Sequence, residues 1–217
     1  VVDLSNFYLD IAKDRLYVSS KSDFRRRSCQ TVLSLVIEKI SGLIAPVLCH
    51  MAEDIWQNIP YDLDEVSVFQ RGWPIAPKEW RNNSLNKHVI ELRKLRTLIN
   101  RMLESCRNDQ ELGSSLEASV RIDICDEKVQ AAIKWLSKSE SNNVDVLRDW
   151  LLVSYLQIGG EPWAEVLVSE DNDIASVDIA KARGLKCERC WHYEVEMSKN
   201  QKHPNICNRC EKVVLAI

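Results

Sequence analysis

The chain has 217 residues, a formal net charge of −3, 45% hydrophobic and 28% charged residues. This length allows one large domain or two to three small ones, and the composition is that of a globular rather than a disordered protein. No apolar run reaches membrane-spanning length and no cleavable signal is visible, which predicts a protein of a reducing compartment outside any membrane.

The first 60 residues predict three amphipathic helices. Apolar residues recur at helical spacing from Leu4 to Ile11, and the sequence begins inside this stretch without an initiator methionine, as expected for a piece of a longer polypeptide. A second stripe follows Arg25–Arg27 and ends before Pro46. A third runs from Leu48 to Ile59, where Pro60 closes it.

A loop is predicted at 61–83, and a long helix from Ser84 to Arg107. Four amphipathic helices with short connections predict a helical bundle over residues 1–110. The pattern then changes to a small α/β module at 111–183, with a strand at 120–125 and helices at 127–138 and 145–152. Further strands are predicted at 153–158, 163–168 and 176–182.

The charge is unevenly distributed along the chain. Residues 71–107 contain nine basic and three acidic residues, Arg25–Arg27 add a second basic cluster, and residues 140–178 are acidic. A basic face on an acidic chain fits a phosphate-rich partner on one side of the molecule. A solvated helix surface is the alternative explanation for any one of these runs.

The tail at 184–217 carries the most specific motif of the sequence. Cys187-x-x-Cys190 is followed after sixteen residues by Cys207-x-x-Cys210. Two such pairs predict one closed, structural Zn²⁺ site in a ribbon. Two disulfides, or replacement of one thiolate by His192 or His203, are the alternatives. The single cysteines 29, 49, 106 and 125 are predicted to be ordinary packed side chains.

Basic and aromatic residues surround these cysteines. Lys186, Arg189, Arg209 and Lys212 can offset the negative charge of four zinc-bound thiolates or present a basic patch to nucleic acid. The Trp191 ring can stack on an unpaired base or cover the metal from water. No glycine-rich phosphate loop and no Gly-x-Ser-x-Gly motif are found, so no catalytic residue is predicted.

Several segments together resemble one family. Residues 3–17 and 26–31, the Ala-Pro-containing run 43–56, the junction 115–118, and the two cysteine motifs at 186–193 and 207–210 are similar to the C-terminal part of bacterial-type isoleucyl-tRNA synthetases. These are class I aminoacyl-tRNA synthetases. The resemblance implies a mainly α fold: an anticodon-binding helical bundle, a small α/β module and a C-terminal zinc ribbon with four cysteine ligands.

The same resemblance implies a tRNA-binding region that positions tRNA(Ile) for ATP-dependent aminoacylation. The family's HIGH and KMSKS signatures are absent from this sequence, so ATP and the chemistry belong to catalytic and editing domains expected upstream in the same polypeptide. The predicted compartment is the cytoplasm in a bacterium, or a mitochondrion or plastid in a eukaryote. A stand-alone zinc-ribbon nucleic-acid binder and a purely structural module remain alternatives.

Charge, spacing and position in the family pattern indicate nine candidate tRNA contacts. They lie on the first helix, at the start of the second, on the long basic helix and around the first cysteine pair: Lys13, Arg15, Arg26, Arg27, Arg93, Arg96, Lys186, Arg189 and Trp191.

Overall fold

The computed structural model describes residues 2–139 and 143–216. The chain divides into two units, one formed by Ser19–Asn82 and the other by Val1–Val18 with Asn83–Ile217. Roughly half of the residues are helical, beside a small sheet and a cysteine cluster. Within the described ranges, no helix is both long and apolar enough to cross a bilayer.

The larger unit combines helices with a four-stranded sheet. A π-helix at Leu4–Leu9 leads directly into the first α-helix, and a short 3₁₀ turn lies at Ser115–Glu117. The helices of this unit are α1 (Asp10–Tyr17), α4 (Asn83–Asn108), α5 (Glu127–Ser139), α6 (Asn143–Leu151) and α7 (Asn208–Leu215). The strands are β1 (Ala118–Ile124), β2 (Tyr155–Ile158), β3 (Val168–Asp171), β4 (Ala175–Lys181), β5 (Leu185–Lys186) and β6 (Tyr193–Glu194).

The unit at 19–82 is a helical hairpin closed by a long loop. Helix α2 spans Phe24–Ile44, α3 spans Cys49–Gln57, and a 3₁₀ turn lies at Lys78–Trp80. The Asp23 side chain caps α2 by accepting a hydrogen bond from the Arg26 amide at 3.0 Å. The loop packs Val68 against Trp56 in a small core, and the indole Nε1 of Trp56 donates to the Glu65 carbonyl at 3.0 Å.

The sheet has the order β2-β1-β4-β3. Strands β1 and β2 are parallel, and α5 and α6 lie in the crossover that parallel strands require. Strands β1 and β4 pair antiparallel with Ile122 opposite Val177 and Val120 opposite Ile179. These four side chains are fully buried in one core with the apolar stripe of α4 and with residues of α5 and α6.

The second face of the sheet is covered by the loop that follows β2. Arg121 of β1 and Asp178 of β4 face each other in register, and Arg121 Nη1 donates to Asp178 Oδ2 at 3.0 Å. Arg121 also donates to the Gly160 carbonyl, and Asp178 accepts from Ser169 and from the Trp163 amide. Burial alone would raise the pKa of Asp178, but these hydrogen bonds and the Arg121 charge lower it below its ordinary value.

Most predicted helices are observed, but their grouping into one bundle is not confirmed. Helices α2 and α3 pack in one unit, whereas α1 and α4 belong to the other. The predicted domain division at 110/111 and 183/184 stays a prediction. The two compact units of the structure are separated at 18/19 and 82/83.

Three local predictions are wrong. The strand expected at 163–168 lies at Val168–Asp171, because Trp163 anchors the loop over the sheet instead. The tail contains α7, a helix that the ribbon prediction omitted. Of the single cysteines, Cys29 and Cys106 are buried as expected, but Cys49 and Cys125 are exposed.

Two arginines of α4 contact the π-helix and α1. Arg93 and Arg96 place their guanidinium carbons 5.1 and 5.3 Å from the Phe7 ring centroid. Arg96 also donates from Nε to the Trp150 carbonyl at 2.7 Å and lies 3.4 Å from Asp10. The Phe7 ring meets the Trp150 ring edge-on at 5.1 Å. These contacts join the π-helix, α1, α4 and α6.

Arg96→Gln is expected to lower the free energy of unfolding by about 2 kcal/mol, because it removes a largely buried charge from two partners. Arg101→Gln is the matched control on the same helix, since the Arg101 side chain is 65% exposed. Urea denaturation of both variants measures the difference. Equal losses would contradict a structural role for Arg96.

Strands β5 and β6 pair antiparallel in a two-stranded ribbon, and Gly184→Ala tests how closely the chain must approach itself there. Gly184 has φ +97°, and a Cβ there would collide with the backbone carbonyl of Glu194. We expect the free energy of unfolding to fall by about 3 kcal/mol or more, because the strand pair must separate. Gly159→Ala is the control, since φ is +73° but no atom lies within 4 Å of the added carbon. The control should lose only about 1 kcal/mol of unfolding free energy, which is the cost of the left-handed backbone conformation. Similar losses of unfolding free energy in both variants would reject the steric explanation.

Candidate functional site

The four tail cysteines converge at one buried point. Cys187 and Cys190 lie between β5 and β6, and Cys207 immediately precedes α7, whose first turn contains Cys210. Their sulfur atoms all lie within 4.8 Å of one another, and each residue is at most 8% exposed. The loop between the two pairs returns through a single bridge between Met197 and Cys207.

The sulfur spacing fits a tetrahedral zinc ion. The Sγ atoms of Cys190 and Cys207 are 3.7 Å apart. A regular tetrahedron with Zn–S bonds of about 2.3 Å has an S–S edge of about 3.8 Å. A disulfide needs about 2.05 Å, and all four thiols are free. The disulfide alternative is therefore wrong for this geometry.

Local backbone geometry shapes the first cysteine turn. The Trp191 amide donates to the Cys187 carbonyl at 2.9 Å, and the Cys187 amide donates to the His192 carbonyl at 2.9 Å. Trp191 has a positive φ of 66°, which reverses the chain at the end of the turn. This reversal returns the chain toward β6 while both sulfurs point inward.

The protein already offers donors to these sulfurs. The Cys207 amide donates to Cys187 Sγ at 3.2 Å, and Arg189 Nη1 lies 3.6 Å from Cys210 Sγ. Hydrogen bonding with Cys207 and Cys210, together with burial, raises the pKa of the Cys190 thiol. A divalent cation bound at these sulfurs would hold its ligands deprotonated.

Neither histidine of the tail belongs to the sulfur cluster. The group of potential ligands found in the described chain contains the four cysteines alone. His192 is 5% exposed, and its Nε2 lies 4.0 Å from Asp14 Oδ1. Burial, aided by the charge of Arg209, lowers the pKa of His192 to about 4, so the ring is neutral at pH 7. The histidine-ligand alternative has no support in this arrangement.

The ion pair between Asp14 and Arg209, beside the cluster, is not predicted from the sequence. Asp14 of α1 accepts two hydrogen bonds from Arg209, both at 2.8 Å. Burial would raise the pKa of Asp14, but the hydrogen bond and charge of Arg209 lower it. These residues are 195 positions apart, and no spacing motif connects them.

The candidate tRNA contacts on α1 and α4 differ in accessibility. Lys13 is exposed and pairs with Asp10 at 2.9 Å. Arg15 is partly buried, and its Nε has no hydrogen-bond partner among the described residues. Arg93 pairs with Asp3 at 2.6 Å, and Arg96 is 13% exposed. The inward contacts of Arg96 leave it poorly placed for phosphate, whereas the Arg93 side chain is 37% exposed and pairs with an exposed carboxylate.

The other basic candidates lie at the start of α2 and around the first cysteine pair. Arg26 donates from Nη1 to the Ser19 carbonyl at 3.1 Å, whereas Arg27 is exposed. In the tail, Lys186 is exposed with Nζ 5.6 Å from the Trp191 ring centroid. Trp191 is 61% exposed, so its ring is available to a base.

Arg189 has a different environment. Besides approaching Cys210, its guanidinium donates to the Val18 carbonyl at 2.7 Å and to the Tyr17 carbonyl at 3.4 Å. The structure therefore brings together Lys186, Arg189 and Trp191 with the cysteines, and it gives Arg189 internal partners.

Comparison with known proteins identifies two family matches. Residues 1–122 match the anticodon-binding domain of tRNA ligase, and residues 184–213 match the zinc finger found in FPG and IleRS. The first match covers more than half of the chain.

The chain also resembles known relatives along its entire length. It is 87% identical over 217 residues to isoleucine–tRNA ligase of Prochlorococcus marinus strain NATL1A. It is 60% identical over 214 residues to the enzyme of Parasynechococcus marenigrum strain WH8102. These alignments cover 100% and 99% of the chain but 22% of each relative. The resemblance to isoleucyl-tRNA synthetases is thereby confirmed, and the chain belongs to the family of anticodon-binding domains of tRNA ligases.

Proposed function

We propose that this chain is the tRNA-binding region of an isoleucine–tRNA ligase. In this proposal it holds the anticodon stem-loop of tRNA(Ile), while ATP-dependent aminoacylation occurs in catalytic and editing domains of the same polypeptide. The family match over residues 1–122 carries the proposal, because such domains bind the end of the tRNA remote from the amino acid. Since the relatives are bacterial, we further propose the cytoplasm as its compartment.

Backbone contacts supply affinity in this proposal, and base contacts supply specificity. Exposed Lys13, Arg27 and Lys186 are suited to phosphate oxygens. The exposed Trp191 ring is suited to a base turned out of the anticodon loop, with Lys186 beside it for the adjoining phosphate. Arg15 and Arg26 remain weaker candidates because each is partly buried.

The tail contributes shape rather than chemistry. We propose that Cys187, Cys190, Cys207 and Cys210 hold one structural Zn²⁺, supported by the 3.7 Å sulfur spacing. Four sulfur ligands leave no position for a reacting water. When bound, the ion supplies folding free energy to a segment with few large apolar side chains. It thereby fixes the backbone that presents Trp191 and Lys186.

The purified chain is expected to contain one zinc per molecule by elemental analysis. Cys210→Ser should reduce zinc to below about a tenth of that amount, because a closed site loses a ligand. Cys125→Ser is the matched control, since this cysteine is exposed and lies outside the cluster. Full zinc retention in Cys210→Ser would contradict the assignment.

In the intact ligase, the same Cys210→Ser change also separates positioning from chemistry. We expect tRNA charging to fall while isoleucine-dependent pyrophosphate exchange is largely spared, because the site acts by placing the tRNA. Equal loss of both activities would reject the positioning role.

Binding of this chain to tRNA(Ile) should weaken steeply with salt, because phosphate contacts release counterions. Fluorescence anisotropy across a salt series measures the slope. Trp191→Ala should weaken binding roughly tenfold without changing the slope, whereas Lys186→Gln should make the slope shallower by about one unit. Tyr155→Ala is the aromatic control, since Tyr155 is 52% exposed on an edge strand outside both cysteine turns.

Two outcomes would favour the alternatives. A flat salt titration together with equal binding of unrelated tRNAs would indicate a structural module. Strong but unselective binding that ignores the anticodon loop would indicate a general nucleic-acid binder.

A further inference from the structure

Both cysteine pairs carry an arginine at the same position. Arg189 immediately precedes Cys190, and Arg209 immediately precedes Cys210. The two side chains converge on the C-terminal half of α1 and the residue that follows it. This convergence links the assembly of the sulfur cluster to a helix that lies 171 to 195 residues earlier in the sequence.

Arg209 holds α1 by a bidentate ion pair. Its two terminal nitrogens donate to the two carboxylate oxygens of Asp14, each at 2.8 Å. The Asp14 side chain is 16% exposed and the Arg209 side chain is 39% exposed, so the carboxylate is largely shielded from water while the guanidinium is partly accessible. Parallel hydrogen bonds of this kind fix orientation as well as distance. A lone carboxylate or guanidinium left at this position would be unfavourable.

Arg189 donates hydrogen bonds to carbonyl groups at the C-terminal end of the same helix. The last carbonyls of a helix lack partners within the helix, and a cation near them also complements the helix dipole. Arg189 donates to the carbonyls of Tyr17 and Val18, while its Nη1 lies 3.6 Å from Cys210 Sγ. One guanidinium therefore contacts both the end of α1 and a sulfur of the cluster.

Apolar packing supports the two polar contacts. Val18 is 7% exposed and belongs to the same buried cluster as the four cysteines and Ile206. Because both arginines lie within the cysteine turns, their direction depends on how those turns are folded. Metal binding at the sulfurs would fix both turns, and with them both arginines.

We propose that the metal centre docks α1, with Arg189 and Arg209 as positioning residues and Asp14 as the receptor of Arg209. Arg189 is thereby assigned to holding the protein's own helix instead of contacting tRNA. The inference rests on the proposed zinc site but not on tRNA binding. Zinc removal should free α1, and loss of the Asp14–Arg209 pair should weaken zinc retention.

Hydrogen exchange of the 217-residue chain without RNA tests the proposal. In the zinc-loaded protein, amides of residues 14–18 should be protected, and a chelator should speed their exchange about tenfold or more. Amides of β1 serve as the internal reference, since β1 lies in the core of the sheet. Unchanged exchange at 14–18 after zinc removal would overturn the docking role.

Competition with a chromophoric chelator measures the reciprocal effect. Asp14→Asn and Arg209→Gln should each weaken zinc binding about tenfold, and the double variant should be no weaker than the worse single variant. Asp173→Asn is the charge-matched control, exposed in the turn between β3 and β4. Additive losses, or none, would overturn the pairing. If the unaltered chain binds no zinc, the zinc proposal itself fails. That result differs from failure of the docking proposal, in which the unaltered chain binds zinc and the variants bind it equally well.

Conservative replacement of Arg189 in the same assays tests its separate role. Arg189→Gln should speed exchange at residues 17 and 18 in the zinc-loaded protein, and Arg189→Lys should restore part of the protection, because an ammonium can still reach a helix carbonyl. If Arg189 served only to contact tRNA, Arg189→Gln would change neither hydrogen exchange nor zinc binding in the absence of RNA. That result would overturn the assignment.

Discussion

The close approach of four buried sulfur atoms is the constraint on which the tail of this protein depends. Thiolates within 4.8 Å of one another repel strongly unless a cation lies among them. The surrounding segment has little apolar material, and its two-residue strands cannot hold the ribbon closed alone. The proposed metal binding would resolve both difficulties at once, since it would neutralise the sulfurs and supply folding free energy. The ribbon, the cysteine turns and α7 then follow as one arrangement.

The positive charge of the chain divides into two physical roles. Some basic side chains face inward, where Arg96, Arg189 and Arg209 join segments distant in sequence. Others, such as Arg27 and Lys186, remain exposed to solvent. Only the second group is free to contribute to binding a polyanion, so the basic residues counted in the sequence overstate the surface available to RNA. Under the proposed function, a variant of an inward arginine would impair tRNA binding indirectly, through the fold.

Periodicity and spacing made much of this structure predictable. The helix at 24–44 follows from an apolar stripe between Arg25–Arg27 and Pro46, and the helix at 83–108 from the stripe after the predicted loop at 61–83. The cysteine spacing anticipates the sulfur cluster. Long-range contacts explain what the sequence could not show at two positions. Trp163 is predicted to begin a strand but anchors a loop to Asp178. Arg189 stays a predicted tRNA contact, and nothing in the sequence indicates that it donates to the Val18 carbonyl at the end of α1. A single sequence shows the charge or the ring, but not the partner that folding brings to it.

X-ray absorption at the zinc edge of the purified chain is the sharpest test of the four-sulfur site, because it reports the atoms bound to the metal. The closed site should give a shell of four sulfur atoms at about 2.3 Å with no nitrogen or oxygen ligand. A mixed shell containing imidazole or water, or the absence of bound zinc, would contradict it.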